Sequence, residues 1–355
     1  MFKHVVVSVI MTGSLLLGTS IASAQSTVLD LPRDSQHARV MQRIGLTDIT
    51  INYHRPLVNN REIWGKLVPY DKVWRAGANE NTTIEFTDPV MVEGKPLAAG
   101  TYGLHMLPSQ NEWTVIFSKV ASAWGSFSYD QKEDALRVAV KPQPSEMHEA
   151  LTYDFDEVKP TATTIALRWE KLAVPFKVEV NTPEVVQQSL HKQLRGLSQY
   201  TWEGWDDAGN YLTDHKGNLE EALNYENRSI QVEDRFENQI TKARVLDELN
   251  RKQEAVAARE KAISMATAIQ LHSYGRQLQT QGKQQEALEL FRANVKKYPN
   301  HWIAHNDASR LAVADGNFPT AVKEMQLSLA GAPDQVKPQL EALIKRLQDK
   351  QDINK

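Results

Sequence analysis

A small residue that returns at a nearly constant spacing restricts the second half of this 355-residue chain to a repeat architecture. Four times, a Gly or Asn is followed five positions later by an Ala, and the alanines are separated by 33, 32 and 34 residues. The pairs are Gly217 with Ala222, Asn250 with Ala255, Gly282 with Ala287, and Gly316 with Ala321. This period is typical of paired helices, in which the turn residue joins two helices and the small residue lets them approach closely.

The helical half begins near "NTPEVV", where Thr182 suits an N-cap and Pro183 the first turn. Beyond it, Val186, Leu190 and Leu194 recur four apart, the spacing of one helix face. We therefore assign residues 182–355 to an α-helical solenoid.

Before this boundary, from about residue 44, the chain reads as short strands that alternate or run apolar between Gly, Pro, Asn and Asp. No helical period separates them, which favours an antiparallel β-sandwich or barrel over residues 25–181. The predicted strands are "ITINY", "TIEF", "VMV", "TYGLHML", "WTVIFS", "LRVAV", "LTYDF", "TTIALRW" and "PFKVEV".

The first 24 residues are typical of a signal peptide. Lys3 and His4 precede an apolar run from residue 5 to 17, and "ASA" at residues 22–24 predicts cleavage before Gln25. The alternative, an uncleaved anchor, is disfavoured because the run is shorter than the roughly 20 residues that cross a bilayer. We expect an exported protein, periplasmic or secreted, with no membrane span after cleavage. The chain has no Cys, which excludes disulfides and thiolate chemistry, and its net charge of −3 gives no reason to expect nucleic acid.

The helical half resembles tetratricopeptide repeats. The third copy carries the resemblance best, and the fourth keeps its Gly, its Ala and a closing Pro333. The first two copies depart from the pattern, with Asp234 where the first closing Pro would fall. The matching residues of the third copy are Gly275, Gly282, Ala287, Phe291 and Pro299.

The β half also resembles a family. Its consecutive blocks "QRIGLTDITINYHRP", "REIWGKLVPYDKVWRAGANENTTIEF", "EGKPLAAGTYGLHMLP", "EWTVIFSK" and "YDQKEDALRV" are similar to exported bacterial proteins of domain-of-unknown-function family 2911. The resemblance implies an exported β domain, sometimes followed by helical repeats, without an established activity.

The stretch "WRAGANENTTIEF", residues 74–86, concentrates polar side chains before a strand. One interpretation is a ligand pocket for a small molecule. The other is structural, with Arg75 and Glu80 forming an ion pair that fixes a long connection. The candidate pocket residues are Arg55, Arg61, Arg75, Asn79, Glu80, Thr82 and His105.

A second candidate cluster is "AWGSFSYDQKEDALRV", with Trp124 and Tyr129 on an expected loop and Arg137 near its return to the sheet. Exposed rings of this kind bind sugar faces or peptide side chains. The alternative is that they close the end of the β domain.

Register in the repeats predicts a binding surface. In tetratricopeptide-like stacking, the position eleven residues before each repeat Ala faces the inner groove, and it holds Tyr211, Arg244, Arg276 and Arg310. Together with His272 and Asn306, four residues earlier, the last two arginines form a cationic strip suited to a carboxylate of a protein or peptide partner. The alternative is that each Arg pairs with a neighbouring acid, such as Asp247 or Asp307.

Motifs for catalysis are absent from the sequence: there is no phosphate-binding loop and no Gly-x-Ser-x-Gly elbow. His301 and His305 have the spacing of a zinc pair but lack a third ligand, so we expect no metal and no cofactor. We predict a non-enzymatic exported binding or scaffold protein. The alternative is an envelope hydrolase of glycan or peptide material, with its site near Arg75, Glu80 and His105.

Overall fold

The chain forms two compact units, of which the first ends at Val180 and the second begins at Asn181. They are seen in a computed structural model that describes residues 32–354. The predicted signal peptide lies outside the described residues. Within them, no helix combines the length and the apolar character that a bilayer crossing requires.

The first unit is a β-sandwich of two antiparallel sheets, which decides between the two predicted β architectures. The larger sheet has the strand order β1-β2-β3-β6-β7-β8 and the smaller one β5-β4-β10-β9. The strands are β1 (Gln36–Ile44), β2 (Thr47–Arg55), β3 (Thr83–Phe86), β4 (Val90–Val92), β5 (Lys95–Leu97), β6 (Gly100–Leu107), β7 (Trp113–Ser118), β8 (Asp134–Val140), β9 (Gln143–Lys159) and β10 (Ala162–Val180).

Aromatic side chains from both sheets form the core of the sandwich. Phe117 on β7 meets Phe176 on β10 edge to face, with 6.0 Å between ring centroids. Tyr53 on β2 meets Tyr153 on β9 in the same way at 4.9 Å. All four rings are buried. Burial of such rings between two sheets supplies much of the hydrophobic stabilisation of a sandwich.

The second unit is a tetratricopeptide-like helical solenoid, as the repeat spacing predicts. Its pairs are α2/α3, α4/α5, α6/α7 and α8/α9, and each repeat Ala lies fully buried on the second helix of its pair. The helices are α1 (Thr182–Gln193), α2 (Trp202–Asp214), α3 (Leu219–Val232), α4 (Phe236–Glu248), α5 (Lys252–Met265), α6 (Ala268–Thr280), α7 (Gln284–Lys297), α8 (Trp302–Ala314), α9 (Phe318–Gly331) and α10 (Lys337–Gln348).

Turn residues between paired helices adopt the left-handed backbone that ends a helix. Asn250 has φ of 59°, and Gly282 and Gly316 have φ of 76° and 72°. In the first repeat the left-handed residue is Lys216, with φ of 52°, and not Gly217. The sequence spacing thus identifies the turn in every repeat, although in the first copy the left-handed residue is a Lys one position earlier, where the others have Gly or Asn.

A pair of carboxyl groups is buried between α2 and α3. Glu226 is fully buried, and room for it exists because Gly209 has no side chain: a Cβ there would lie 1.9 Å from Oε1 of Glu226. Among the described residues, neither oxygen of Glu226 accepts a hydrogen bond. Burial, and then the adjacent Asp206, raises the pKa of Glu226 to about 11. Glu226 is therefore a neutral acid near pH 7.

We predict that Glu226→Gln reduces the pH dependence of stability. The folded chain keeps a proton on Glu226 that the unfolded chain loses above about pH 4.5, so stability falls as pH rises from there towards 11. One proton corresponds to a loss of up to ~1.4 kcal/mol per pH unit. Urea unfolding followed by circular dichroism at 222 nm, at pH 6 and pH 8, measures this. An equal pH dependence in both proteins would show that Glu226 is ionised when folded.

Candidate functional site

The stretch Trp74–Phe86 is a tightly bonded turn that leads into β3. Ala76, with φ of 49°, is fully buried, and its carbonyl accepts hydrogen bonds from Thr82 Oγ1 at 3.2 Å and from the Tyr153 hydroxyl at 2.8 Å. A Cβ on Gly77 would lie 2.5 Å from Thr82 Oγ1. Thr82 therefore serves the architecture of the turn, and little of it faces solvent.

Glu80 does not pair with Arg75. Its carboxylate accepts a hydrogen bond from Arg33 Nη1 at 2.6 Å, and His54 Nε2 lies 3.2 Å from its second oxygen. Burial alone would raise the pKa of Glu80, but a backbone amide, Arg33 and His54 together hold it below its usual range. The Glu80 side chain as a whole is 41% exposed and its carboxylate is ionised, but Oε2 is buried and has no hydrogen-bond partner within residues 32–354.

A cavity of about 630 Å³ opens beside Glu80. Its size falls within the range of small-molecule sites, but its lining is mainly polar. It joins side chains that the sequence analysis did not group, because β1 pairs with β2 in a register that sets His37 opposite His54, with 5.3 Å between ring centroids. Burial lowers the pKa of His54, although Glu80 opposes this. The lining residues are Pro32, Arg33, Ser35, Gln36, His37, His54 and Glu80.

Arg75 is half-buried and approaches the loop that carries Trp124. A Cβ on Gly125 would lie 3.1 Å from Arg75 Nη1. Within residues 32–354, the buried Nε of Arg75 has no hydrogen-bond partner, and no acidic side chain forms an ion pair with this guanidinium. Burial lowers the pKa of Arg75. On the same loop, Trp124 is 53% exposed. The Arg33 guanidinium carbon lies over the Trp124 ring, 5.5 Å from the ring centroid.

His105 belongs to a separate cluster and has no contact with Glu80. It is 2% exposed, bonds Ser126 Oγ through Nδ1 at 2.9 Å and packs against the Tyr129 ring. Burial lowers the pKa of His105 to about 4, so the imidazole is neutral near pH 7. The Tyr129 hydroxyl donates to Asp134 at 2.7 Å and accepts from Arg137 at 2.8 Å. The acid and base of the hydrolase alternative are therefore not paired with each other.

The other predicted β-domain residues hold backbone segments together. Arg55 donates to the carbonyl of Leu151 at 3.0 Å, and Asn79 donates to that of Ser35 at 3.1 Å. Arg61 donates to the carbonyl of Val58 within its own loop. Residues 32–354 contain no group of three or more His, Asp or Glu side chains placed to hold a metal ion.

The predicted inner face of the helical unit divides into two parts. In the first part, Tyr211 stacks on His215, with 4.0 Å between ring centroids. Arg244 pairs with Asp214 and also donates to Asn210 at 2.9 Å. The structural alternative thus holds for Arg244, with Asp214 as the acid.

In the second part, Asp307 forms no direct ion pair with an arginine, although its charge opposes the lowering of the Arg276 and Arg310 pKa values by burial. It is fully buried on α8 and bonds His272 of α6 at 2.5 Å and Asn294 of α7 at 2.6 Å. The other acid considered, Asp247, pairs with Lys252 and Arg259. Asp307 and His272 therefore join three helices to one another. Among the described residues, neither Arg276 nor Arg310 forms an ion pair.

Arg310 is a buried cation that is satisfied by uncharged oxygens. It is 4% exposed, and its Nε donates to Asn306 Oδ1 at 3.1 Å. Its Nη1 donates to the carbonyl of Ile353 at 2.7 Å. Burial, and then the charge of Arg276, lowers the pKa of Arg310 to about 9, which leaves it cationic near pH 7.

Arg276 lies on the same face as Arg310 and is more accessible. Its guanidinium donates to Gln279, whose amide in turn donates to Asn354 Oδ1 at 3.0 Å. Within residues 32–354, Arg276 and Arg310 therefore form no ion pair, and Asp307, whose charge acts on both, is already bonded to His272 and Asn294. Both arginines lie next to a segment that follows α10.

Comparison with known families bears on the β-sandwich. Residues 35–178 match the family model Protein of unknown function (DUF2911). This confirms the resemblance drawn from the sequence blocks. A comparison with curated proteins gives no match.

Several solved structures resemble the helical unit. The Cut9-Hcn1 structure of the APC/C is 16% identical over 48% of this chain, with a TM-score of 0.29, and the chain covers only 33% of that protein. YrrB, a TPR protein with an unusual peptide-binding site, is 20% identical over 47% of this chain and 84% of its own, with a TM-score of 0.26. MamA is 17% identical over 46% of this chain and 92% of its own, with a TM-score of 0.28.

Proposed function

We propose that this chain is an exported, non-enzymatic binding or scaffold protein whose helical unit binds a protein partner through the face that carries Arg276 and Arg310. The pattern of residues 3–24 supports export, and N-terminal sequencing of the purified protein tests this by starting at Gln25 and not at Met1. The partner group that fits two adjacent guanidinium groups is a carboxylate, on an acidic side chain or a chain terminus.

The observation that carries this proposal is that neither arginine forms a direct ion pair among the described residues. A buried or half-buried arginine in a monomer normally has an acidic partner, because desolvating an unpaired charge is costly. Arg244, in the equivalent position of an earlier repeat, has one in Asp214. Among the described residues, Arg276 and Arg310 form no ion pair, and Asp307, whose charge acts on both, is already hydrogen-bonded to Asn294, so a ligand carboxylate at this face would gain charge-assisted hydrogen bonds.

We predict that Arg276→Glu strongly reduces recovery of the partner. Full-length protein, cross-linked in an envelope extract of the producing cells and analysed by quantitative mass spectrometry, should recover a protein whose yield falls at least about tenfold in the variant. Such a loss corresponds to ~1.4 kcal/mol, within the range for one charge-assisted contact.

Arg292→Glu is the matched control, because Arg292 is exposed on α7 and forms no ion pair within residues 32–354. It makes the same change of charge away from the proposed face, and its yield should equal that of the unchanged protein. If all three proteins recover the same set, the face around Arg276 does not bind the partner.

The β-sandwich offers a second, smaller site. We propose that the cavity beside Glu80 binds a small polar ligand, because Arg33, His37 and His54 place donors around its ionised carboxylate. This arrangement favours hydroxyl-rich or amide ligands over apolar ones.

A thermal-shift screen of the full chain against sugars, short peptides and divalent cations tests the cavity, since a ligand that binds only the folded state raises its stability. We expect a hit whose shift disappears in Glu80→Gln but persists in Glu85→Gln, because Glu85 is exposed on β3 and outside the cavity. A shift retained in Glu80→Gln would place the ligand elsewhere, and a screen without hits would contradict the proposal for these ligand classes.

A further inference from the structure

The segment Gln351–Asn354, which we call the return segment, lies on the proposed partner-binding face. It has no regular secondary structure, yet Ile353 is 2% and Asn354 8% exposed. It bonds the alternate helices of this face: Gln279 of α6 donates to the Asn354 side chain, and Arg310 of α8 donates to the carbonyl of Ile353. From α10, Arg346 donates to the carbonyl of Asp352 at 3.0 Å.

The backbone at the end of α10 directs the return segment onto this face. The Lys350 amide bonds the Leu347 carbonyl at 3.0 Å, and the Gln351 amide bonds that of Arg346 at 2.9 Å. Lys350 has φ of 53°, so this is a Schellman motif with Lys where Gly is usual. The left-handed residue turns the chain back, and without it the segment would continue away from its present position.

The contacts of the return segment are those of a bound peptide. Two carbonyl oxygens accept hydrogen bonds from arginines, an aliphatic side chain is buried, and the following Asn exchanges hydrogen bonds with Gln279 and with the Arg310 carbonyl at 2.9 Å. Ile353 packs in the same apolar cluster as Val313, Leu340 and Leu347. A peptide with an aliphatic residue followed by an amide side chain would reproduce these contacts.

We propose that the return segment is an intramolecular occupant of the partner-binding face, and that the partner segment that brings the carboxylate must displace it, with an aliphatic residue followed by Asn or Gln taking the places of Ile353 and Asn354. This inference rests on the proposed function of the helical unit. Because the segment is tethered directly to α10, its effective concentration at the face is in the millimolar range. It therefore weakens the apparent affinity of a competing peptide by about tenfold or more when the return segment itself has an intrinsic Kd of ~100 μM for the face.

The test uses a fluorescent peptide with the sequence of residues 349–354, blocked at both ends, and measures its binding by fluorescence anisotropy. Lys350→Pro releases the return segment, because proline fixes φ near −65° and removes the amide that bonds Leu347. Lys350→Gly is the matched control, since glycine keeps the left-handed turn. A chain that stops after Lys350 provides a second released form.

We expect the released forms to bind the peptide at least about tenfold more tightly than the unchanged chain and Lys350→Gly. A peptide with Ile353→Ser should bind to none of them. Equal affinity for all four proteins would overturn the role of the return segment and leave the peptide-binding face standing. Released forms that retain their helical circular dichroism but bind no peptide would also overturn it. The proposed function would then be judged on the recovery of its partner alone. If the shortened chain unfolds, Lys350→Pro decides.

Discussion

The arrangement of the helical unit depends on the close approach of paired helices at four fully buried alanines, Ala222, Ala255, Ala287 and Ala321. A larger side chain at any of them would push two helices apart, because a packed core accommodates little extra volume. Since this contact recurs at nearly equal spacing, it sets the helices of each repeat in equivalent positions. One residue of each first helix then lies on a common face, and our proposal of partner binding concerns that face.

Charge compensation distinguishes the parts of this face that are structural from the part that is available. Arg244 meets Asp214 on the preceding helix pair, whereas Asp307, which stands near Arg276 and Arg310, is bonded to His272 and Asn294. The same distinction applies in the sandwich. Asp134 is enclosed by Tyr129 and Arg137, while Glu80 keeps an ionised carboxylate beside a cavity. The groups that we propose to bind a ligand are Arg276 with Arg310, which form no ion pair among the described residues, and Glu80, whose Oε2 accepts no hydrogen bond there.

The sequence predicts the two architectures and the repeat register because periodicity and spacing are local. It does not predict the edge strand β1, whose polar face is exposed and whose alternation is therefore weak. It divides β10 into two strands and predicts only residues 151–155 of β9, because the bulges in their pairing interrupt the alternation. The sites are predicted less well than the architectures. The partners of Glu80 are Arg33 and His54, which lie 47 and 26 positions earlier in the chain. Such contacts depend on strand register, which a single sequence does not determine.

The central claim is that the face around Arg276 and Arg310 binds a partner peptide and is covered by the return segment of the chain itself. Hydrogen exchange tests this claim most directly. Mass spectrometry of the full-length protein should show residues 350–354 exchanging slowly, and Lys350→Pro should make the same residues exchange at the rate of an unstructured peptide. Adding a tight-binding partner to the unchanged protein should also accelerate the hydrogen exchange of residues 350–354. Fast exchange of this segment in the isolated, unchanged protein would contradict the account.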